Sequence, residues 1–458
     1  MSLEAAKRQM SKQLELPLAA RGEASRQQQS DEANSAASGP SHPGTDDLMK
    51  VVTERSNLHR AMLRVRQNKG GPGVDGMTID ELPKYLAQNE DRLRDQLLAG
   101  TYRPSPVRLC EIPKSGGGTR QLGIPTVVDR LVQQALLHVL QPIFDPTFSD
   151  HSYGFRPGRS AHGAIREARQ LIADGGRVVV DVDLEKFFDR VNHDVLMGRL
   201  ARRISDKRVL GLVRRFLEAG MMANGVCIER DRGTPQGGPL SPILANVLLD
   251  DIDKMLERRG HKFVRYADDL NVYVRSKRAG ARVFALLQHA FGRLHLQINI
   301  AKSAIASPRD RKFLGYSFWF GPGGVPRPRV APSSRAKLED RIREITSRVG
   351  GRSMAQVVAQ LRAYLPGWKA YFTLAETQTV FAALDKWIRR RLRAVQLHQW
   401  CRFGAVYREL KKRGIEPRLA YRTALYRRSW WAFAKSKAMS IALPNEHFDR
   451  IGVPRLST

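Results

Sequence analysis

The spacing of apolar residues predicts short strands and long helices in this chain. Residues 178–183 have the apolar character typical of a buried strand, with Asp181 and Asp183 as its two polar positions, and residues 263–265 and 270–274 have the composition of two paired strands. From Ser241 the apolar positions recur at helical spacing, and residues 335–440 are almost entirely helical in pattern. The acidic residues of the helix at Ser241 are expected to form a solvated face: Asp250, Asp251 and Asp253. The pattern therefore predicts a mixed α/β protein with a helical C-terminal part.

Carboxylates stand at the ends of the predicted strands. Asp181 and Asp183 are two residues apart and therefore share one face of the first strand. Asp268 and Asp269 are poor strand formers, so we place them at the tip of the predicted hairpin. If the strands are neighbours in one sheet, three carboxylates converge. Such oxygen ligands suit Mg²⁺, and Mg²⁺ on shared carboxylates offsets the charge that develops in phosphoryl transfer to a nucleotide.

The charge balance points to a polyanionic partner. The 458 residues include 77 Lys and Arg against 45 Asp and Glu, a formal net charge of +32. We expect no membrane partner, since no apolar run approaches the roughly 18 residues that span a bilayer. Three widely separated cysteines fit a reducing cytoplasm and exclude a multi-cysteine zinc site built by this chain alone.

Several motifs occur in a fixed order along the chain. They are Tyr-Arg-Pro-Ser-Pro at 102–106, Ile-Pro-Lys to Gly-Ile-Pro at 112–125, Asp-Arg-Leu-Val-Gln at 129–133, Ser-Tyr-Gly-Phe-Arg-Pro-Gly-Arg-Ser at 152–160, Gly-Thr-Pro-Gln-Gly-Gly-Pro-Leu-Ser-Pro at 233–242, Tyr-Ala-Asp-Asp at 266–269, Asn299 to Lys302 and Phe-Leu-Gly-Tyr at 313–316. In this series, from Leu48 to the C-terminus, the chain resembles the group II intron-encoded reverse transcriptases and maturases of bacteria.

The resemblance implies an α/β (α+β) fold of the right-hand polymerase type. Fingers and palm would be built on an antiparallel sheet plus helices, followed by a helical thumb and maturase domain. The expected segments are a disordered tail at 1–47, an N-terminal extension and fingers at 48–165, a palm with a residual fingers segment at 166–320, a linker at 321–334, a helical thumb and maturase domain at 335–440 and a C-terminal tail at 441–458.

The resemblance also assigns catalytic and metal-binding roles to the carboxylates. Asp183 and Asp268 would ligate both of two Mg²⁺ ions, with Mn²⁺ as an alternative ion, and Asp269 would assist at the second position. Asp181 is a weaker candidate.

Further residues are implied to bind the deoxynucleoside triphosphate (dNTP). Phe188 resembles the bulky gate under the incoming sugar, where a ring collides with a 2′-hydroxyl. Lys114 and Arg120 resemble the finger cations that grip the triphosphate, although both also suit solvated charges on an edge strand. Gln236 resembles the residue beside the sugar, and Lys302 the lysine near the leaving phosphates.

The C-terminal helices carry a concentrated positive charge. Residues 385–437 hold 16 Lys and Arg against 3 Asp and Glu, which favours nucleic-acid contact over a merely solvated face. The expected nucleic-acid-binding residues are Arg389, Arg390, Arg391, Arg393, Lys411, Lys412 and Arg413. Interleaved tryptophans at 387, 400, 430 and 431 could stack on bases or belong to the core.

As a whole, the resemblance implies an RNA-directed DNA polymerase of a group II intron. It would bind the intron RNA as a maturase to promote splicing and support intron mobility by target-primed reverse transcription. Its partners would be intron RNA, an RNA template, a DNA primer or target and dNTPs, and it would act in the bacterial cytoplasm with the nucleoid. Whether the protein forms a homodimer is left open.

Three alternatives remain at this point. One is a domesticated reverse transcriptase in DNA repair or defence, and another is a splicing maturase that only binds RNA. The third is a diversity-generating reverse transcriptase, which the sequence Thr-Pro-Gln-Gly at 234–237 disfavours because that group usually differs there. Nothing after Arg428 resembles an HNH endonuclease, so we expect a lineage that takes its primer from elsewhere, such as a nascent strand.

Overall fold

The computed structural model describes residues 46–113, 119–223, 226–228, 233, 237–349, 351–425 and 430–457. The contacts between these residues divide the described chain after Arg311 into two compact units.

The first unit begins with helices and a small mixed sheet. Its elements to this point are α1 (Leu48–Val52), α2 (Arg55–Gln67), α3 (Leu82–Leu98), β1 (Val107–Pro113), β2 (Thr119–Ile124), α4 (Val127–Phe144) and α5 (Ala161–Ala173). Thr126 caps α4 by accepting a hydrogen bond from the Asp129 backbone N–H. Strands β4 (Met221–Ala223) and β5 (Val226–Ile228) complete the sheet order β2-β1-β4-β5, in which β1 and β4 are parallel.

The second sheet of the first unit, named here the palm sheet after the segment in which it was predicted, is fully antiparallel. It contains β3 (Val178–Val182), β6 (Lys262–Tyr266), β7 (Asp269–Val274) and β8 (Ala304–Ala306) in the order β6-β7-β3-β8. Strand β3 is buried at every position, as its apolar run predicts. The accompanying helices are α6 (Phe187–Arg190), α7 (His193–Leu200), α8 (Lys207–Glu218), α9 (Ser241–Arg258) and α10 (Lys277–Arg293). The expected α/β fold is confirmed, with the parallel β1–β4 pairing as an addition.

The second unit is a hairpin followed by helices. Its elements are β9 (Tyr316–Phe320), β10 (Pro326–Val330), α11 (Pro332–Ile345), α12 (Met354–Tyr371), α13 (Gln378–Trp400), α14 (Phe403–Lys412), α15 (Pro417–Leu425), α16 (Trp430–Phe433), α17 (Lys437–Ala442) and α18 (Asn445–Arg450). Tyr316, Trp368, Phe372 and Phe381 pack as a cluster of aromatic rings. Within the described chain, no helix combines the length and the apolarity needed to span a membrane.

The segment predicted as a linker, 321–334, is largely ordered secondary structure. Strand β10 pairs antiparallel with β9, and α11 begins at Pro332. Pro326, Pro328 and Val330 are the buried positions of β10. Proline removes a backbone donor, which an edge strand tolerates, so a proline-rich composition concealed an alternating strand. Strand β9, expected to belong to the palm, lies in the second unit.

The predicted C-terminal tail, 441–458, packs into the second unit over its described residues. Leu443, Phe448, Val453 and Leu456 are each at most 3% exposed, and α18 lies within this segment. The apolar residues of this segment follow no helical or strand period, so the sequence pattern did not indicate that they are buried. The description as a tail is therefore wrong.

Candidate active site

The strand register brings the predicted carboxylates to one end of the palm sheet. Asp183 directly follows β3. Tyr266 pairs with Asp269 across the β6–β7 hairpin, which leaves Asp268 in the turn. The antiparallel register of β3 and β7 pairs 182 with 270, so its next step places Asp183 opposite Asp269. All three carboxylates therefore lie at the same end of the sheet.

Asp181 shares a face of β3 with Asp183, but its carboxylate is bonded to side chains within the first unit. Its side chain lies 2.6 Å from Nη2 of Arg311, measured from Oδ2. With the Asn271 amide nitrogen oriented toward it, that nitrogen donates to Oδ1 of Asp181 at 3.0 Å. At 7% exposure, Asp181 is a buried partner of these two side chains, whereas Asp183 is half-exposed at the strand end.

Asp183 is held by the segment that contains Lys302. The Asp183 backbone N–H donates to Oγ of Ser303 at 3.0 Å, and the Asn299 N–H donates to the Asp183 carbonyl at 2.8 Å. Nζ of Lys302 lies 3.7 Å from Oδ1 of Asp183. Lys302 is exposed and Asp183 is half-exposed, so the contact is a weak ion pair that an incoming phosphate could share.

The hairpin turn is pressed against the segment 152–157. Ala267 adopts a left-handed backbone with φ of 58°, a conformation that costs a non-glycine residue energy unless its surroundings enforce it. A Cβ on Gly154 would lie 2.2 Å from the Ala267 nitrogen, so no other residue fits there. The Tyr153 N–H also donates to the Arg265 carbonyl at 2.9 Å. These contacts fix the peptide that precedes Asp268.

Arg265 and Asp253 form a buried ion pair behind the same turn. Arg265 is 1% exposed and Asp253 is 0% exposed. Nε of Arg265 donates to Oδ1 of Asp253 at 2.8 Å, and Nη1 donates to the Ala267 carbonyl at 2.8 Å. The remaining donors reach Asn246 Oδ1 at 2.9 Å and Ser152 Oγ at 2.8 Å. Burial raises the pKa of Asp253, and the guanidinium opposes that rise.

The solvated acidic face predicted for α9 is therefore wrong at Asp253. Asp251 bonds to Arg199, with Nε 2.9 Å from Oδ2, and Asp250 is half-buried, which raises its pKa to about 6. The sequence contained an indication that Asp253 is buried, because its position, next to Ile252, follows the helical spacing of the core residues of α9. Which cation it meets depends on β6, which the periodicity of α9 does not reveal.

Phe188 lies at the start of α6, just beyond Asp183. The Phe187 ring is buried and meets the Phe188 ring edge to face at 5.0 Å between centroids. Gly233 supports this turn, because a Cβ there would lie 2.8 Å from the Phe188 carbonyl. Phe188 is half-buried, so its ring retains a face that a substrate could touch.

Three of the predicted nucleotide-binding side chains cannot be placed. Lys114 and Gln236 lie outside the described residues. For Arg120 the backbone is described, and it pairs with Ile112 in the β1–β2 hairpin, but its side chain is outside the described set. The roles of these three residues stay predictions.

A preformed three-ligand metal cluster is absent from the described residues. No group of three or more His, Cys, Asp or Glu side chains there is close enough together to hold a metal ion. The carboxylate donors at the sheet end still fit Mg²⁺, since this ion is typically bound by one or two carboxylates together with substrate phosphates and water.

Two residues predicted to bind nucleic acid are instead internal. Arg389 is 1% exposed, and its guanidinium lies 3.2 Å from Asp385 and 2.7 Å from Asp449. Arg393 is 9% exposed and donates to the Leu443 carbonyl at 2.8 Å. Both arginines tie α13 to the C-terminal segment, so neither offers its charge to an external phosphate.

The other predicted basic residues are more accessible. Arg390 lies over the Trp431 ring at 3.8 Å and is half-buried, as is Arg391. Lys411 and Lys412 are exposed on α14. Arg413 is half-buried and forms an ion pair with Glu409.

Comparison with protein families identifies both parts of the chain. Residues 112–318 match the family model described as reverse transcriptase (RNA-dependent DNA polymerase). Residues 335–414 match the group II intron, maturase-specific domain. The chain therefore carries a reverse transcriptase domain followed by a group II intron maturase-specific domain. Asp183 and the hairpin carboxylates all lie within the reverse transcriptase match.

Curated relatives resemble the reverse transcriptase part. Protein YkfC of Escherichia coli (strain K12) is 41% identical over 218 residues, which cover 46% of this chain and 57% of the relative. The group II intron-encoded protein LtrA of Lactococcus lactis subsp. cremoris is 37% identical over 219 residues, covering 48% of this chain and 36% of the relative. The chain thus spans little more than half, or less, of the length of these relatives.

A solved structure described as a partial Cas6-RT-Cas1–Cas2 complex shares 24% identity, with a TM-score of 0.36, and covers 54% of this chain and 42% of that chain.

Proposed function

We propose that this reverse transcriptase is an RNA-directed DNA polymerase of a group II intron. It copies RNA into DNA, binds the intron RNA as a maturase to promote splicing, and supports intron mobility by target-primed reverse transcription. The main support for this proposal is the register of β3 and β7, which is consistent with convergence of Asp183 and the hairpin carboxylates. All of these residues lie within the reverse transcriptase match. The maturase-specific match supports the second role.

The proposed metal ligands are Asp183 and Asp268, with Asp269 assisting. Reverse transcriptase domains depend on a divalent metal, and two Mg²⁺ ions at these carboxylates would offset charge on the attacking and leaving oxygens. Lys302, beside Asp183, would then pair with the phosphates of the nucleotide. Lys114, Arg120 and Gln236 complete the proposed dNTP site as expectations from the resemblance.

The splicing role is one of binding. Group II intron RNA would supply its own chemistry, and the basic C-terminal helices would hold its fold through phosphate contacts. Lys411 and Lys412 are suited to this contact because both are exposed. The same positive charge would keep the protein with the nucleoid in the bacterial cytoplasm.

Primer extension on an RNA template with Mg²⁺ and dNTPs tests the polymerase. Asp268→Ala should abolish extension while RNA binding is nearly retained, because the variant loses a metal ligand and no phosphate contact. Asp194→Ala is the matched control, since that carboxylate is exposed and pairs with Arg214 in the same unit. If the Asp268→Ala variant still extends primers, the assignment of Asp268 as a metal ligand is wrong. If the unmodified chain does not extend primers, an RNA-binding maturase without polymerase activity is favoured.

Sugar selection tests the role of Phe188. Removing the ring in Phe188→Ala should raise ribonucleotide incorporation by about tenfold or more, because the 2′-hydroxyl loses its steric obstacle. Phe188→Tyr keeps the ring and should keep the discrimination. Steady-state incorporation of dNTP against rNTP by both variants measures this, and unchanged selectivity in the alanine variant would remove the gate role from this residue.

A further inference from the structure

A cationic cleft opens in the maturase-specific part of the chain, within the second unit. Its volume is about 330 Å³. The residues that line it are Arg343, Thr346, Arg348, Trp387, Arg391, Ala394, Val395 and Trp431. The lining therefore combines three guanidinium groups with two indole rings and includes no carboxylate.

The indoles and guanidinium groups alternate along this cleft. The Arg343 and Arg391 guanidinium carbons each lie 5.6 Å from the centroid of the Trp387 ring. Arg391 also lies 6.0 Å from the Trp431 ring. Neither tryptophan is fully buried, so both retain ring surface toward the cleft. An aromatic face of this kind can stack with a base.

The residues that line the cleft include no negative charge to offset its three guanidinium groups. Arg391 donates to neutral oxygens, with Nε 2.6 Å from Oγ1 of Thr346. Burial, followed by the neighbouring Arg343 and Arg348, lowers the pKa of Arg391. Arg343 is paired with Asp340, at 2.6 Å, and with Glu339, at 3.1 Å, neither of which lines the cleft. Arg348 and Arg391 thus leave an excess of positive charge that an anion would relieve.

We propose that this cleft binds one unstacked nucleotide of single-stranded RNA. The base lies against Trp387 and Trp431, and the phosphate bonds to the guanidinium groups of Arg391 and Arg348. A cleft of this size admits one base with its phosphate but no duplex. Unpaired bases are the parts of RNA that proteins stack on aromatic rings, and a guanidinium fork matches phosphate oxygens. This inference rests on the proposed function, since it names one contact of the RNA-binding part.

Binding of two labelled RNA probes to the full chain tests the cleft. One probe is a short oligouridylate and the other is a blunt RNA duplex with the same number of phosphates. Arg391→Gln should weaken binding of the single strand by about tenfold, the scale of one lost stacking and phosphate contact, and should change duplex binding far less. Trp431→Leu should give the same selective loss.

The matched control is Arg335→Gln, which removes one charge from α11 outside the cleft. It should weaken binding of both probes by the same small factor. Arg391→Lys keeps the charge and removes the planar guanidinium fork. If the glutamine variant unfolds, the lysine variant replaces it in the same comparison of the two probes. The proposal is overturned if the Arg391 and Arg335 variants lose the same affinity for both probes. It is also overturned if polyglutamate competes with the single-stranded probe as well as RNA does.

Primer extension measured in parallel separates this proposal from the polymerase. Extension that is retained while the variants show no selective loss for the single strand overturns the cleft alone. A selective loss in a chain that does not extend primers supports the cleft and overturns the polymerase.

Discussion

At the scale of the residue, Arg265 connects the core to the hairpin that carries the predicted metal ligands. Its guanidinium is buried and bonds to Asp253, Asn246, Ser152 and the Ala267 carbonyl. The last bond fixes the peptide group directly before Asp268. Breaking a buried ion pair on one side costs about 3–5 kcal/mol, so the loss of either partner would destabilise the fold around the hairpin. We infer that Arg265 is a positioning residue for the metal ligands of the hairpin.

Arg265→Lys should slow primer extension by about a hundredfold, the scale of a 1 Å misplacement of a catalytic group. Lysine keeps the charge but cannot bond to Asp253 and the Ala267 carbonyl at once. The same variant should raise the Mg²⁺ concentration needed for half-maximal extension. Both are measured below the melting temperature of the variant, with folding followed by circular dichroism.

Arg389→Lys is the control for that experiment. It disrupts an equally buried arginine, paired with Asp385 and Asp449 in the second unit, and should lower stability without changing the Mg²⁺ requirement. Equal shifts of the Mg²⁺ requirement in both variants would leave Arg265 with a purely structural role.

At the scale of the element, a polar network joins three helices at the start of the first unit. Asn57 on α2 donates to the carbonyls of Val52 and Ala135, each at 3.1 Å. Nδ1 of His138 on α4 lies 2.9 Å from Oδ1 of Asn57, and Nε2 lies 3.0 Å from the Gln134 amide nitrogen. The network is satisfied when His138 is neutral, donates through Nδ1 and accepts through Nε2.

This network should make stability fall with acid. Burial, and then Arg60 and Arg64, lower the pKa of His138 to about 4. Between pH 6.5 and 4 the unfolded chain therefore binds a proton that the folded chain does not, so the contribution of His138 is complete above 6.5 and is lost as the pH falls through this range. Denaturant unfolding across the range should show a weaker pH dependence in His138→Gln than in the unmodified chain.

His59→Gln, on the exposed face of α2, should leave that pH dependence unchanged. If both variants follow the unmodified chain, His138 is not the titrating group.

At the scale of the whole molecule, the net charge of +32 is not all available to a partner. Arg389, Arg393 and Arg413 are used in contacts within the second unit. Lys411 and Lys412, which are exposed, and Arg391 of the proposed cleft remain available. A charge count therefore overstates the number of phosphates that the C-terminal helices can neutralise, and burial separates structural cations from binding ones.

Salt dependence of RNA binding should separate the two groups of cations. Lys412→Gln should reduce the slope of log affinity against log salt by about 0.7 for single-stranded RNA, because one fewer counterion is released. Arg389→Gln should lower stability and leave the slope unchanged. Titrations at several salt concentrations measure both slopes, and a reduced slope for Arg389→Gln would return this residue to the nucleic-acid surface.

Local patterns in the sequence were sufficient for the frame of the active site. The apolar run at 178–182 predicted β3, and the Asp-Asp pair at 268–269 predicted the hairpin turn, because strand pairing alternates residues between faces and excludes adjacent acids from its interior. The order of the motifs then identified the reverse transcriptase and maturase parts. Each of these signals is contained within a few neighbouring residues.

Only the tertiary structure decided which charges are structural. Arg265 meets Ser152, 113 positions away, and Arg389 meets Asp449, 60 positions away. The sequence alone shows that these residues are charged, but the free energy of an ion pair depends on burial and on the partner that folding brings near. Spacing and motif order therefore predicted the fold and the candidate catalytic carboxylates, while the packing of distant elements determined how the hairpin is held and which arginines face the solvent.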